Sequence, residues 1–150
     1  MAKDISAVGS KVVFSGGLSL TITEFSDEGT PFDSPDVDVS TNEKNLNGEM
    51  ISSRTPSVIP FSVTVIPGTV ADEKLYAFFK KSLIQPGGIN AIGSLYCNCT
   101  ITIPDVYGAD GGARTVSYTN CRAKSGPMGP STSAEGRLSA RTYTFEAEGN

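Results

Sequence analysis

Three cysteines come nearest to a metal-binding pattern in this chain. Cys97 and Cys99 lie two residues apart, and Cys121 follows later. A structural zinc ion takes four ligands at spacings such as Cys-x2-Cys, whereas here the spacing differs and a fourth ligand is missing. Residues two apart in a strand share one face, so we expect these thiols to pack as small apolar groups in a core.

A second pattern, Asp36-Val-Asp38-Val-Ser40, begins like a calcium-binding loop. Such a loop needs glycine at its sixth position and a bidentate glutamate at its twelfth. The chain has Thr41 and Asn47 there. The sequence therefore predicts no metal site.

Residues suited to catalysis are not arranged for it. The chain has no histidine, which removes the most frequent general base, and it has no Gly-x-Ser-x-Gly motif. The glycine-rich segment 108–112 is not followed by the Lys-Ser/Thr of a phosphate-binding loop. We therefore expect no catalytic residue, no cofactor site and no enzymatic activity.

Charge and the N-terminus give two further expectations. With 12 basic and 16 acidic residues, the net charge of −4 disfavours stable nucleic-acid binding through a basic patch. Residues 1–10 lack the apolar core of a secretory signal, and no apolar run reaches the length of a membrane span. These features favour a protein made and kept in a reducing cytosol.

Most of the chain alternates between apolar and polar residues with a period of two, which is typical of strands with one buried face. The predicted strands are residues 11–14, 18–23, 59–66, 94–103, 114–122 and 137–147, with a further brief strand over 37–40. The sequence predicts one mainly-β domain over residues 1–150, a β-sandwich or flattened barrel.

One helix is predicted on the flank of that sheet, over about residues 70–84. Leu75, Phe78, Phe79 and Leu83 recur at helical spacing and form the face to be buried. Thr69 suits the N-cap position, with Asp72 three residues on as a partner in capping. The opposite, outward face carries the charged residues Glu73, Lys74, Lys80 and Lys81.

A long early segment, about residues 26–50, interrupts the strand pattern. It is rich in turn residues and acidic residues, but it also carries isolated apolar side chains. Connections of this length inside a compact domain are uncommon and mark function or disorder. Two interpretations remain open from the residues alone: a mobile surface loop, or an arm that docks on a neighbouring molecule.

The order of these features resembles the tail tube proteins of contractile phages. The similarity is clearest in the Arg-containing turn at residues 48–56, the strand at 59–66 and the helix that contains Leu75 to Phe79. The resemblance implies a β-sandwich subunit that forms hexameric rings stacked into a tube. Pairing strand edges between subunits would protect them from non-specific association.

The same resemblance implies a set of partners. The lumen would hold a tape measure protein and later conduct DNA in transient, non-specific passage, the tail sheath protein would pack outside, and baseplate and tail terminator proteins would bind the ends. The chain would then belong to the virion tail and be assembled in the cytoplasm of the bacterial host.

Two groups of residues become candidates for contacts in such a tube. The early segment, as an assembly arm between subunits or rings, offers Phe32, Asp36, Val37, Asp38, Val39, Leu46 and Met50, together with Arg54 just beyond it. The outward helix face offers Glu73, Lys74, Lys80 and Lys81. The alternative function is a monomeric β-sandwich that binds a carbohydrate or a protein partner. That function needs an aromatic platform, which is hard to build without tryptophan.

Overall fold

The structure, a computed structural model, describes residues 10–25, 31–54, 57–83, 95–103, 114–130, 132 and 136–149. In these ranges it contains strands β1 Lys11–Gly16, β2 Leu20–Ile22, β3 Phe32–Asp33, β4 Ser40–Lys44, β5 Met50–Arg54, β6 Ile59–Val65, β7 Cys97–Ile103, β8 Arg114–Ser125 and β9 Arg141–Ala147, and helix α1 Val70–Ser82.

Seven strands form one antiparallel sheet in the order β2-β1-β7-β8-β9-β6-β3. The long strand β8 divides this sheet into two halves, because its first part pairs with β7 and its last residues pair with β9. The change occurs between Cys121, which still pairs with β7, and Arg122, next to Asn120 with its left-handed φ of 49° and an irregularity in the pairing with β7. A bulge of this kind bends a strand, so β8 passes from one layer of a sandwich to the other.

The core lies between the two halves. Phe145 on β9 is fully buried, and its ring lies 5.2 Å from that of Phe14 on β1 and 5.1 Å from that of Phe61 on β6. Phe61 also stacks on Tyr118 of β8 at 4.2 Å. Stacked and tilted aromatic pairs at these distances add to the apolar burial that holds the two layers together.

Helix α1 closes the side of this core. Leu75, Phe78 and Phe79 are buried as the sequence predicts, and the Phe79 ring lies 5.0 Å from Phe145. Thr69 is the N-cap, and its side chain accepts a hydrogen bond from the backbone N–H of Asp72. The helix ends at Ser82, so Leu83 is extended and half exposed, and the prediction that it is buried was wrong.

The mainly-β fold with one helix is confirmed, and the differences concern the ends of elements. The predicted strand 94–103 begins at Cys97, the predicted strand 137–147 begins at Arg141, and the predicted strand 114–122 continues to Ser125. Among the described residues the terminal strands β2 and β3 do not pair with each other, so the sheet is open rather than a closed barrel.

The early segment has more regular structure than its composition indicates. Residues 34–39 belong to no strand, so the predicted brief strand over 37–40 was wrong. Regular pairing instead begins at Ser40, where β4 and β5 form a separate two-stranded sheet. Two further predictions, the glycine-rich tip at 108–112 and the features of residues 1–9, lie outside the described residues.

Candidate functional site

The β4–β5 hairpin, residues 40–54, stands apart from the seven-stranded sheet. Both of its faces are open: Ser40 is half-buried, and every other residue of its two strands is exposed. An isolated two-stranded hairpin is only marginally stable in water. Its exposed apolar side chains include Leu46, fully exposed at the turn, and Met50 and Ile51, which are 69% and 56% exposed. We call residues 40–54 the hairpin arm.

The turn of the hairpin arm is closed by its own hydrogen bonds. The side-chain oxygen of Asn45 accepts from the backbone N–H groups of Asn47 and Glu49 at 2.9 and 3.0 Å. Gly48 adopts a φ of 81°, a conformation that glycine enters without steric cost. The arm is therefore a locally specified element, and Asn47-Gly48 is the hairpin signal that the sequence analysis did not use.

A groove of about 590 Å³ lies at the base of the hairpin arm. One wall is the segment 34–39, which is fastened to the sandwich by a hydrogen bond between the Ser34 and Tyr118 hydroxyls. The Ser57 hydroxyl donates to the carbonyl oxygen of Asp38 at 3.2 Å and holds the other end. Arg54 and Ile59 line the opposite side.

The structure brings five of the eight arm candidates together in this groove. They are Asp36, Val37, Asp38, Val39 and Arg54. Leu46 and Met50 lie instead on the hairpin arm, at its turn and at the start of β5. Phe32 does not belong to the exposed surface, because its half-buried ring packs beside Phe25 against the core.

The four candidates on helix α1 lie on or near its outer side. Glu73, Lys74 and Lys80 are exposed, and Lys81 is half-buried with its ammonium group 5.5 Å from the Phe78 ring centre. Lys74 donates to the carbonyl oxygen of Ser19 at 3.2 Å and so ties the helix to the end of the first hairpin. The charges remain close to solvent while their aliphatic stems cover apolar surface.

A buried polar cluster joins helix α1 to β9, and the sequence analysis missed it. Asp72 Oδ1 accepts from the Tyr143 hydroxyl at 2.7 Å and pairs with Arg141 Nε at 2.8 Å. Its other oxygen accepts from the backbone N–H of Gly68 at 3.0 Å. Asp72 precedes Leu75 by three residues on the buried stripe, and an acid in that position requires a cation, which was the available signal.

Arg141 extends this cluster to the segment that precedes β9. Its terminal nitrogens donate to the carbonyl oxygens of Gly129 and Pro127 at 3.4 and 3.3 Å. Its guanidinium also lies 5.7 Å from the centre of the Tyr76 ring. These contacts satisfy the polar groups with one another, so the cluster acts as an internal fastening rather than as a reactive site.

The cysteines are free and buried, as expected for core thiols. A hydrogen bond with Cys121 and then burial raise the pKa of Cys97, and burial raises the pKa of Cys99. A thiol reacts as its thiolate, so these two groups are poor nucleophiles in the folded protein. In the described part of the chain, no group of three or more Cys, Asp and Glu side chains is placed to hold a metal ion.

No helix within the described ranges is long and apolar enough to cross a membrane.

A family model described as tail fiber protein gp32 matches residues 3–149, which is nearly the whole chain. The chain belongs to the tail fiber protein gp32 family. Membership in the tail fiber protein gp32 family agrees with a structural role in a tail and with the resemblance to contractile tail proteins noted from the sequence. A search of curated proteins found no match for this chain.

Solved structures share the fold of this gp32 family member. A chain of the sheath–tube complex of the extracellular contractile injection system PVC, in its extended state, aligns with a TM-score of 0.59 at 15% identity over 96% of this chain and 87% of its own. A chain of the PVC sheath/tube terminator aligns at 0.58 and 15% identity, over 97% and 94% of the two chains.

A third structure, the anti-feeding prophage cap that terminates its tube, aligns at 0.57 and 14% identity over 98% of this chain and 89% of its own. The first two structures come from an extracellular contractile injection system. At these identities the likeness concerns the fold, and it covers almost the entire chain.

Proposed function

We propose that this protein is the tube subunit of a contractile phage-type tail, a structural and non-catalytic role in which it forms hexameric rings that stack around a central channel. The observation that carries the proposal is the hairpin arm. Its two strands pair with no other described strand, and it exposes Leu46, Met50 and Ile51. Burying such groups between identical subunits stabilises an assembly at roughly 25 cal/mol per Å² of apolar surface.

The groove at the base of the arm supports the same proposal. It combines apolar Val37 and Val39 with the charges of Asp36, Asp38 and Arg54, as interfaces combine an apolar centre with a polar rim. Within this proposal the hairpin arm and the groove form the surface between subunits or rings. In this proposal the single domain has two parts, the sandwich and the assembly arm of about residues 26–50, which overlaps the hairpin arm.

Other partners follow from the position of each surface in a tube. The sheath protein binds outside, where Glu73, Lys74, Lys80 and Lys81 lie near the helix surface. The channel holds the tape measure protein and then passes DNA, and the baseplate and terminator proteins bind the two ends. The protein belongs to the virion tail and is assembled in the host bacterial cytoplasm.

A ring-forming terminator is the second candidate, because two of the three structural relatives come from a tube terminator and a terminating cap. A terminator forms one ring and stops, whereas a tube subunit stacks without a fixed limit. The monomeric binding module is less well supported, since the exposed apolar side chains of the arm are not aromatic and Tyr118 is the one aromatic residue among the described residues that line the groove.

Negative-stain electron microscopy of the purified protein tests the proposal. We expect rings with a central hole that stack into tubes as the protein concentration rises. Single rings that never stack would support the terminator instead. Solid fibres, or monomers at the highest attainable concentration, would contradict both ring-forming functions.

The double variant Leu46→Glu/Met50→Glu tests the role of the hairpin arm. Both side chains are solvent-exposed, so the free energy of unfolding of the subunit should change by less than about 1 kcal/mol while rings or tubes are lost. Val70→Glu is the matched control, because Val70 is 65% exposed at the start of helix α1 and lies outside the arm. Normal tubes from the double variant would remove the arm from the interface.

A further inference from the structure

The outward face of one half of the sandwich is made mainly of hydroxyl and amide side chains, with the apolar Val13 opposite Thr21 and Thr100. This half comprises β2, β1, β7 and the part of β8 up to Thr119. Across it, Thr100 faces Ser117 and Ser15 faces Asn98, with Thr102 opposite Thr115. The only ionic group among the described side chains of these strands on this face is Lys11. We call this surface the hydroxyl face.

The opposite half of the sandwich presents a different chemistry. Its outward side chains combine the hydroxyl groups of Ser62, Thr142 and Thr144 with the charged groups of Arg122, Lys124 and Glu146. Lys124 and Glu146 form an ion pair at 3.1 Å that is partly exposed to solvent. The two outer surfaces of the subunit therefore differ in charge, although both are built from strands of one sheet.

The edges of the two halves also differ. On the side of β8 away from β7, the backbone hydrogen bonds between described residues before Asn120 and their described neighbours involve Thr119, which donates to Gly149 and accepts from Glu148. The edge strand of the opposite half, β3, is only two residues long and is followed closely by Pro35 and preceded by Pro31. Proline cannot donate to a neighbouring strand, so β3 is a protected edge, whereas no described strand pairs with the start of β8 on that side.

From these contrasts we infer that the hydroxyl face lines the channel of the assembled tube, with neighbouring subunits joined along the part of the β8 edge that has no described partner. This inference rests on the proposed tube function and specifies which surface meets the passing DNA. The charged outer strands of the other half then face away from the channel.

The chemistry of the hydroxyl face suits duplex DNA in transit. Affinity for DNA comes largely from cations that neutralise phosphates and release counterions. A wall of threonine, serine and asparagine offers weak, exchangeable hydrogen bonds and few such cations. DNA therefore meets a hydrated channel wall and moves along it without a fixed contact.

Cysteine labelling of assembled tubes tests the assignment. Ser117→Cys places a thiol on the hydroxyl face, and Lys124→Cys places one on the opposite half. The native thiols are buried, so wild-type tubes measure the background. A small maleimide should label both variants, whereas a maleimide on a polymer too large to enter the channel should label only Lys124→Cys. Tubes dissociated in denaturant should react with both reagents at both positions.

The outcomes separate this inference from the proposed function. If tubes form and the large reagent labels Ser117→Cys as fast as it labels Lys124→Cys, the hydroxyl face is not the channel wall although the tube function stands. If neither variant nor the wild-type protein forms rings or tubes, the proposed function fails and the assignment of the wall fails with it.

Discussion

At the scale of single residues, Arg141 joins β9 to helix α1 and to the segment that follows β8. It pairs with Asp72, donates to two carbonyl oxygens of the preceding segment and lies over the Tyr76 ring. Removing one partner of a buried pair leaves an uncompensated charge, which costs more than the pair itself contributes. The stability of the junction between α1 and β9 therefore depends on this one guanidinium.

Arg141→Ala should lower the free energy of unfolding by about 3 kcal/mol, because it leaves the Asp72 carboxylate without its cation in a site that is 11% exposed. Urea denaturation followed by circular dichroism measures the change. Lys124→Ala is the control, since it breaks the exposed pair with Glu146 and should cost about 0–1 kcal/mol. Equal effects of the two variants would contradict the fastening role of Arg141.

We expect ionisation of Tyr143 to lower the free energy of unfolding at alkaline pH. Burial, and then the hydrogen bond to Asp72, raise the pKa of Tyr143 to about 12 from its ordinary value of 10.0. A raised pKa means that the folded state favours the neutral phenol. The contribution of neutral Tyr143 to the free energy of unfolding is thus complete below pH 10 and is lost as the pH rises through 12.

Urea denaturation of the wild-type protein and Tyr143→Phe between pH 9 and 12 measures this contribution. The free energy of unfolding of the wild type should fall more steeply above pH 10 than that of Tyr143→Phe, which has no ionisable group at position 143. Parallel curves for the two proteins would show that Tyr143 does not titrate differently in the folded and unfolded states.

At the scale of elements, helix α1 is held on the sandwich by its apolar face and by the close approach of the backbone at Gly126 to the Phe79 ring. Gly126 follows β8 directly beneath the helix, and a Cβ atom there would come within 2.8 Å of the Phe79 ring and 2.9 Å of the Tyr143 ring. Both rings are buried in the aromatic core. The rings of Phe79 and Tyr143, which pack helix α1 on β9, therefore occupy the space that a side chain at position 126 would need.

Gly126→Ala should lower the free energy of unfolding by about 1–3 kcal/mol, because two buried rings must shift to admit a methyl group. Thermal and urea denaturation measure the effect. Gly129→Ala is a matched control three residues away, where a Cβ atom would meet no atom within 4 Å. A destabilisation of the same size in both variants would point to the backbone rather than to packing under the helix.

The hairpin arm is formed by its own local interactions, but its strands pair with no other described strand of the monomer. Its turn is closed by Asn45 and Gly48, yet its strands bury nothing against the sandwich. In an isolated subunit this arrangement leaves the apolar side chains of the arm in contact with water. In the proposed assembly a neighbouring subunit supplies the missing contacts. Within the proposed tube, we therefore expect assembly to stabilise the hairpin arm.

At the scale of the whole molecule, the charge difference between the two outer surfaces predicts a measurable change in DNA retention. Thr100→Lys/Ser117→Lys adds two cations per subunit to the hydroxyl face. Tubes of this variant should retain short duplex DNA in a pull-down at low salt, and raising the salt should release it. Wild-type tubes should retain little.

The control for retention is Thr144→Lys on the opposite half of the sandwich. DNA bound there lies outside the tube and should be digested by a nuclease, whereas DNA held in the channel should be protected. Nuclease-sensitive DNA on the Thr100→Lys/Ser117→Lys tubes would place the hydroxyl face outside.

Local pattern was enough to determine the β class, the helix with its Thr69 cap, and the core residues Leu75, Phe78 and Phe79. These features depend on periodicities of two and 3.6 and on capping groups a few residues apart, all of which are written in adjacent positions. The family resemblance likewise rested on the local order of a turn, a strand and a helix, and the match over residues 3–149 agrees with it.

Only the tertiary structure decided which distant residues meet. Asp72 pairs with Arg141 and Tyr143 across about 70 residues, and the bend at Asn120 assigns one strand to two layers. The position of Asp72 on the buried stripe signals that a cation is needed, but it does not identify Arg141, because side-chain pairing between elements depends on sheet order and on the register of strands far apart in the chain. The separation of the hairpin arm and the contrast between the two outer faces arise for the same reason, since sheet order determines which polar strand faces share a surface.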